Sequence, residues 1–128
     1  MNSLPEDGRP YFLTDSVTLA ASTAGTLSLE IGTGEEFYAT HVMFAATSVA
    51  FSVTSMVDES NIPFTNADAD DPLTGSMFPG TNTSLQEWLA LPTPLKIEGG
   101  GKLSINVTDT SASQNIVRVV LLGVRRVI

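Results

Sequence analysis

Few residues in this chain can do chemistry. His41 is its single histidine and it has no cysteine. A histidine-based triad must therefore use His41, and multi-histidine or thiolate metal sites within one chain are excluded. His41 lies mid-strand between Thr40 and Val42, where an imidazole reads as structural. Asp68-Ala69-Asp70-Asp71, with Asn66 nearby, offers hard oxygens of the kind Ca²⁺ takes. The spacing is not that of an EF-hand and Pro72 stiffens its end, so the stretch reads as a solvated acidic loop. Calcium at Asp68, Asp70 and Asp71 is left open. Asp58 and Glu59 are paired carboxylates, as glycoside hydrolysis needs. Adjacent residues in extended chain point to opposite faces, however. Gly99-Gly100-Gly101 lacks the Gly-Lys-Ser/Thr ending and the following helix of a phosphate loop. Trp88 and Tyr38 could stack on a sugar, but a single Trp in a loop reads first as a core plug. No Gly-x-Ser-x-Gly elbow is present. The expectation is a protein that is not an enzyme and uses no cofactor.

Asp109-Thr110-Ser111-Ala112 resembles the Asp-Thr-Gly-Ala signature of the small dimeric aspartic proteases. It departs at Ser111, where that family has Gly. Leu121-Leu122-Gly123 also follows almost at once, which leaves no room for a flap. The alternative is that Asp109, Thr110, Ser111 and Ser113 cap a turn between two strands through side-chain hydrogen bonds.

Composition narrows the partners. The chain has 128 residues, 14 acidic and 6 basic, for a net charge of −8. A nucleic-acid surface needs clustered Lys and Arg, so no nucleic-acid partner is expected. The N-terminus has no basic n-region and no apolar h-region, and the longest apolar stretches, Val42–Ala46 and Val119–Val124, are too short to cross a bilayer. The expectation is a soluble, non-secreted chain with no membrane partner.

The positioning elements are strands, because the apolar period is two. Leu27, Leu29 and Ile31 alternate with polar neighbours in Thr26–Ile31. Val49, Phe51, Val53 and Val57 share a face in Val49–Val57. Leu103, Ile105 and Val107 alternate in Lys102–Thr108. Tyr11–Ala21 and Phe37–Thr47 are further strands, rich in aromatic and β-branched residues. Pro94–Ile97 is a short strand that a glycine hairpin turn joins to Lys102–Thr108. Asn61–Asn66 and Gly75–Phe78 are candidate strands, with a turn at Pro79-Gly80. Ser84–Glu87 matches a capping box, so Leu85–Ala90 reads as a helical turn or as an extended loop. Residues 1–10 form a polar arm and residues 11–128 one domain. The fold class is all-β: a single antiparallel β-sandwich of about eight strands, jelly-roll-like, with an extended N-terminal arm.

The last strand, Asn115–Ile128, is apolar on both faces through Val119–Val124. It is either a central or loop-covered strand, or one whose second face packs on a neighbouring subunit. Phe37–Ala46 has the same character. Tyr38, Val42, Phe44, Val119, Leu121 and Arg125 are the candidate interface residues.

The ordered pattern from Phe44 onward resembles the decoration, or cement, proteins of tailed bacteriophages. It runs through Val49–Val53, Pro63-Phe64-Thr65-Asn66, Leu73–Gly80, Leu91–Ile97, Leu103–Ser111 and Asn115–Gly123. It covers about two thirds of the chain and carries no catalytic motif. The resemblance implies a structural virion protein that binds the capsid surface as a homotrimer. Its partners would be itself and the major capsid protein or another virion protein, and its location the virion, assembled in the host cytoplasm. A neck, tail or baseplate adaptor has the same layout, and a carbohydrate-binding sandwich is a further alternative.

Overall fold

The alternation is realised as burial. In the computed structural model, which describes residues 4–58, 63–77 and 88–128, the strand Lys102–Asp109 hides Leu103, Ile105 and Val107 and turns Lys102, Ser104 and Asn106 toward solvent. The described residues form eight strands: β1 Arg9–Leu19, β2 Ala24–Glu30, β3 Glu35–Ala46, β4 Phe51–Asp58, β5 Leu73–Thr74, β6 Leu89–Ile97, β7 Lys102–Asp109 and β8 Asn115–Val127. A 3₁₀ turn, Gly75–Met77, follows β5.

The strands pair antiparallel into two four-stranded sheets, ordered β1-β8-β3-β6 and β2-β7-β4-β5. Most connections cross from one sheet to the other, so the architecture is a β-sandwich of jelly-roll order. The inner faces interleave Phe37, Phe44, Phe51, Leu27, Ile105 and Val117, all but sealed from water. The Phe44 and Phe51 rings meet at 5.9 Å across the two sheets. Burying each such side chain contributes about 2–3 kcal/mol.

Several local expectations are corrected. β1 begins at Arg9, two residues inside the expected arm, and pairs Arg9 with Arg125 and Pro10 with Val124. Proline is tolerated there because β1 is an edge strand. The glycine run is not a hairpin turn. It carries the chain across the sandwich, because β6 and β7 lie in different sheets. Gly100 takes φ +77° in that crossing, and the Gly101 amide bonds the Glu98 carbonyl at 2.7 Å. Around Asn61–Asn66 the described residues show only an isolated bridge from Pro63 to Val57. Gly75 opens a 3₁₀ turn rather than a strand. The Pro79-Gly80 turn and the Ser84–Glu87 box lie outside the described residues, while Leu89 and Ala90 belong to β6.

β8 is central, flanked by β1 and β3. That explains one apolar face but not both. Its partner β3 is bulged at Thr40: Ala39 pairs with Gly123, and His41 with Leu122. A Cβ on Gly123 would overlap the Tyr38 carbonyl oxygen, so the close approach at the bulge requires glycine.

Candidate functional site

β8 alternates through the sandwich wall. Val117, Val119 and Leu121 point into the core, and Val120, Leu122 and Val124 point outward. The ladder sets rows across the outward face of the sheet. Pro10, Val124, Tyr38 and Lys96 form one, and Phe12, Leu122, His41 and Ala90 the next. Thr14, Val120 and Met43 follow, then Ser16, Arg118 and Ala45. Phe12 is 60% exposed and Trp88 37%. β1 and β6 are opposite edges of the sheet, yet the two rings meet at 6.1 Å. Both side chains therefore lean over the outward face. The result is an apolar outer surface centred on β8.

Charge frames this surface unevenly. At one end the Glu36 carboxylate bonds Arg126, whose Nε lies 3.0 Å from Oε1, and Lys96 at 3.0 Å. Glu98 and Asp7 extend the cluster. Arg126 and Lys96 hold the Glu36 carboxyl below its usual range, and Glu36 raises both cations in turn. Arg125 bonds Glu35 at 3.2 Å and covers the Tyr11 ring at 4.5 Å. At the other end Arg118 stands beside Ile116, which is 44% exposed, and no described residue pairs with it. The surface is apolar in the middle, ion-paired at one end and singly cationic at the other.

Most of the residues expected at an interface are elsewhere. Val42, Phe44, Val119 and Leu121 face the core and are buried. Phe44, Val119 and Leu121 are taken up by the core, while Val42, 7% exposed, also lines an open apolar groove with Leu89 and Leu91. Tyr38 is on the outward side but is buried beneath Lys96, 5.5 Å from its ring. Arg125 is half-exposed and ion-paired. The outward set that matters instead is Phe12, Trp88, Val120, Leu122, Val124 and Arg118. Trp88 is not a core plug.

The chemistry candidates do not converge. His41 Nδ1 lies 2.9 Å from the Thr40 hydroxyl, which also bonds the Leu122 carbonyl, so the ring braces the bulge. Asp68 Oδ1 accepts the Asp70 and Asp71 amides at 3.0 and 2.8 Å, which makes a side-chain-capped turn. Among the described residues no three His, Asp or Glu gather as metal ligands. Asp58 lines an open cleft with Lys96, Glu98 and Lys102, and Glu59 lies outside the described residues.

Asp109 is buried and structural. Its Oδ2 accepts the Ser22 amide at 2.8 Å, and the Ser111 hydroxyl lies 2.8 and 3.0 Å from its two oxygens. Asn115 donates to it at 3.3 Å, and binds Ser48 on both amide and carbonyl at 3.1 Å. Burial pushes the Asp109 carboxyl up, but Ser22, Ser111 and Asn115 outweigh it and hold it below its usual range. The motif thus ties together the β1–β2, β3–β4 and β7–β8 loops. The partner missed from the sequence was Asn115. Its one signal was a polar residue at an inward position of an apolar strand.

No protein-family model and no curated protein matches the chain. Among solved structures, it is similar to a chain of the cyanophage Pam1 capsid asymmetric unit. The identity is 14% over 97% of this chain and 90% of that one, with TM-score 0.47. It is also similar to the insecticidal delta-endotoxin Cry8Ea1 of Bacillus thuringiensis, at 15% identity and TM-score 0.43. That likeness spans 86% of this chain but only 19% of the toxin. A third likeness is to Salmonella Typhimurium PliG, a periplasmic lysozyme inhibitor, at 10% identity over 91% and 92% of the chains, with TM-score 0.39. The three differ in what their names say they do, and none decides the role of this chain.

Proposed function

We propose that the chain is a non-enzymatic structural protein of a tailed-phage virion. It acts as a cement protein that binds the assembled coat shell as a homotrimer. The carrying observation is the outward β-sheet face, with Phe12 and Trp88 exposed over an apolar β8. A surface of that kind on a small sandwich suits protein contact better than solvent. The ordered strand pattern from Phe44 to Gly123 supports the same assignment. Nucleic acid is a poor partner, since Lys96, Arg125 and Arg126 are already ion-paired. No membrane partner or export is invoked, and the protein joins the particle in the host cytoplasm.

The mechanism is adhesive. A ligand that binds the assembled shell but not free coat subunits stabilises the shell by mass action. Around 1,600 Å² of total interface suffices for a specific contact. The test uses undecorated, expanded shells assembled from a tailed-phage coat protein. The purified protein is expected to co-sediment with them and raise their melting temperature. Protein left in the supernatant at tens of micromolar sinks the reading, and a particle map placing it at the neck or tail replaces it with the adaptor role.

The exposure of Trp88 favours a second reading, a carbohydrate-binding sandwich in which Trp88 and Phe12 stack on a sugar ring. A glycan array with no hits removes it.

A further inference from the structure

The sheet β2-β7-β4-β5 has an outer side of a different character, made of hydroxyls. Its ladders set Thr108, Ser52 and Thr74 in one row, and Thr26, Asn106 and Ser55 in the next. The second row satisfies itself. The Thr26 hydroxyl donates to the Asn106 side-chain oxygen at 2.8 Å, and the Asn106 side-chain amide donates to the Ser55 hydroxyl at 2.7 Å. The first row does not. No described residue bonds the Ser52 or Thr108 hydroxyl, nor that of nearby Thr110. Ser52 is nevertheless only 6% exposed. A hydroxyl buried so far without a partner is costly.

Among the described residues every fully sealed side-chain polar atom has a partner. The Ser52 hydroxyl is therefore not sealed, and it opens on a cleft of about 530 Å³. Thr54, Thr74, Thr108 and Thr110 line the same cleft, as do Ala69 and Pro72 from the loop before β5. The wall beside Thr110 is pre-formed. The Thr110 amide donates to the Ala50 carbonyl at 2.9 Å, and the Ser48 hydroxyl accepts the Ala50 amide at 3.1 Å. Asn115 also donates to that carbonyl, at 3.4 Å. The cleft thus takes its rigidity from the network around Asp109.

The lining selects the chemistry of the ligand. No charged side chain is part of it. An anion finds no cation there, in a chain of net charge −8. A metal ion finds no carboxylate. A wholly apolar ligand would leave Ser52 buried and unpaired. A hydroxyl both donates and accepts, so a row of hydroxyls is matched best by another row of hydroxyls. Val49, Ala50, Ala69 and Pro72 add apolar surface to the same cleft. A sugar ring presents that combination, with hydroxyls at its rim and C–H groups on its faces. We propose that this cleft binds a neutral saccharide. The Ser52 and Thr108 hydroxyls bond the hydroxyls of one ring, and Pro72 lies against its C–H face. The site is independent of the virion role and of stacking at Trp88, which leans over the other sheet.

The experiment is an NMR titration of the isotope-labelled full chain. The probes are the methyl glycosides of glucose, galactose and mannose and their neutral disaccharides, with glucose phosphate and glucosamine as charged comparators. At least one neutral sugar is expected to shift the amides of Ser52, Thr54, Thr108 and Thr110 at millimolar concentration, ahead of both charged sugars. Ser52→Ala and Thr108→Val are each expected to weaken that binding about tenfold, through loss of one hydrogen bond. Thr26→Val, in the self-satisfied row, is expected to change it less than twofold. Circular dichroism and melting establish that each variant is folded. No shift with any neutral sugar at about 50 mM overturns the proposal. So does a charged sugar that binds as well as the neutral ones, or binding that both Ser52→Ala and Thr108→Val leave intact. Shifts confined to Phe12, Leu122 and their neighbours also overturn it, and favour stacking at Trp88 instead. Sugar binding at the cleft by a chain that ignores coat shells refutes the cement role and leaves this site standing.

Discussion

Asn115 should be the most sensitive polar position in the molecule. It is fully buried, and its side-chain amide bonds the Ser48 amide and carbonyl at 3.1 Å each. Through Asp109 it also reaches the β1–β2 loop. Asn115→Ala removes both Ser48 bonds and leaves a small void. Each bond contributes about 1 kcal/mol net, and the void adds to that, so the expected loss is about 2–3 kcal/mol. A domain of this length loses about 4 °C per kcal/mol, so melting should fall by about 10 °C. Thermal unfolding followed by circular dichroism measures it. Asn115→Asp should be worse at neutral pH, because it sets a second carboxylate beside Asp109. Protonating one of the pair relieves the repulsion, so the folded-state pKa of the pair is raised. The variant should therefore regain stability as pH falls through that raised value, opposite to the wild type. A melting loss below about 3 °C for Asn115→Ala, or no acid recovery in Asn115→Asp, would refute the claim that this side chain holds the three loops together.

The remaining predictions use other features of the same fold. Asp109 and Glu36 both have depressed carboxyl pKa values in the folded state. Their stabilisation is present above the unfolded values of 3.8 and 4.5 and is lost as pH falls through the lower folded ones. Stability should hold down to that range and then drop. Asp109→Asn should flatten the acid limb in urea titrations, and an unchanged limb contradicts the assignment. Gly123→Ala places a Cβ against the Tyr38 carbonyl and 2.8 Å from the Ala39 Cα. It should cost about 2–3 kcal/mol in denaturant unfolding, and a loss under about 1 kcal/mol would mean the β3 bulge absorbs it. Millimolar calcium should leave the melting temperature unchanged, because Asp68 Oδ1 already accepts the Asp70 and Asp71 amides. A calcium-dependent rise that Asp68→Asn abolishes would reverse that conclusion.

The strands were legible because alternation is local. Leu103, Ile105 and Val107 could be placed on one buried face of β7 without knowing what covers them. Pairing is not local. The Gly99–Gly101 turn looked like a hairpin because nothing in its residues says that β6 and β7 join different sheets. β8 shows a subtler limit. Period two divides its residues into two sets but does not say which set faces inward. Both are apolar, so the choice of Val119 and Leu121 for the exposed side was a choice of sign, and the core took them. Trp88 escaped for another reason. It sits one residue before β6, where strand periodicity assigns no face.

Among the described residues, the middle rows of the outward face, from Phe12 to Ser16 across β8 and β3, carry no carboxylate, although the chain has a net charge of −8. The fold itself does not require it, since an antiparallel sandwich is content with a polar outer side. At the Glu36 end, Arg126 and Lys96 satisfy the carboxylate. From Pro10 to Ser16, across the rows of β8 and β3, the one formal charge that recurs outward is Arg118. Asp68, Asp70 and Asp71 are exposed on the loop before β5. Repulsion between copies at −8 opposes indiscriminate association through the apolar patch. In the proposed structural role that repulsion restricts contact to surfaces whose charge offsets it, so charge would select the partner while the apolar area supplies the affinity.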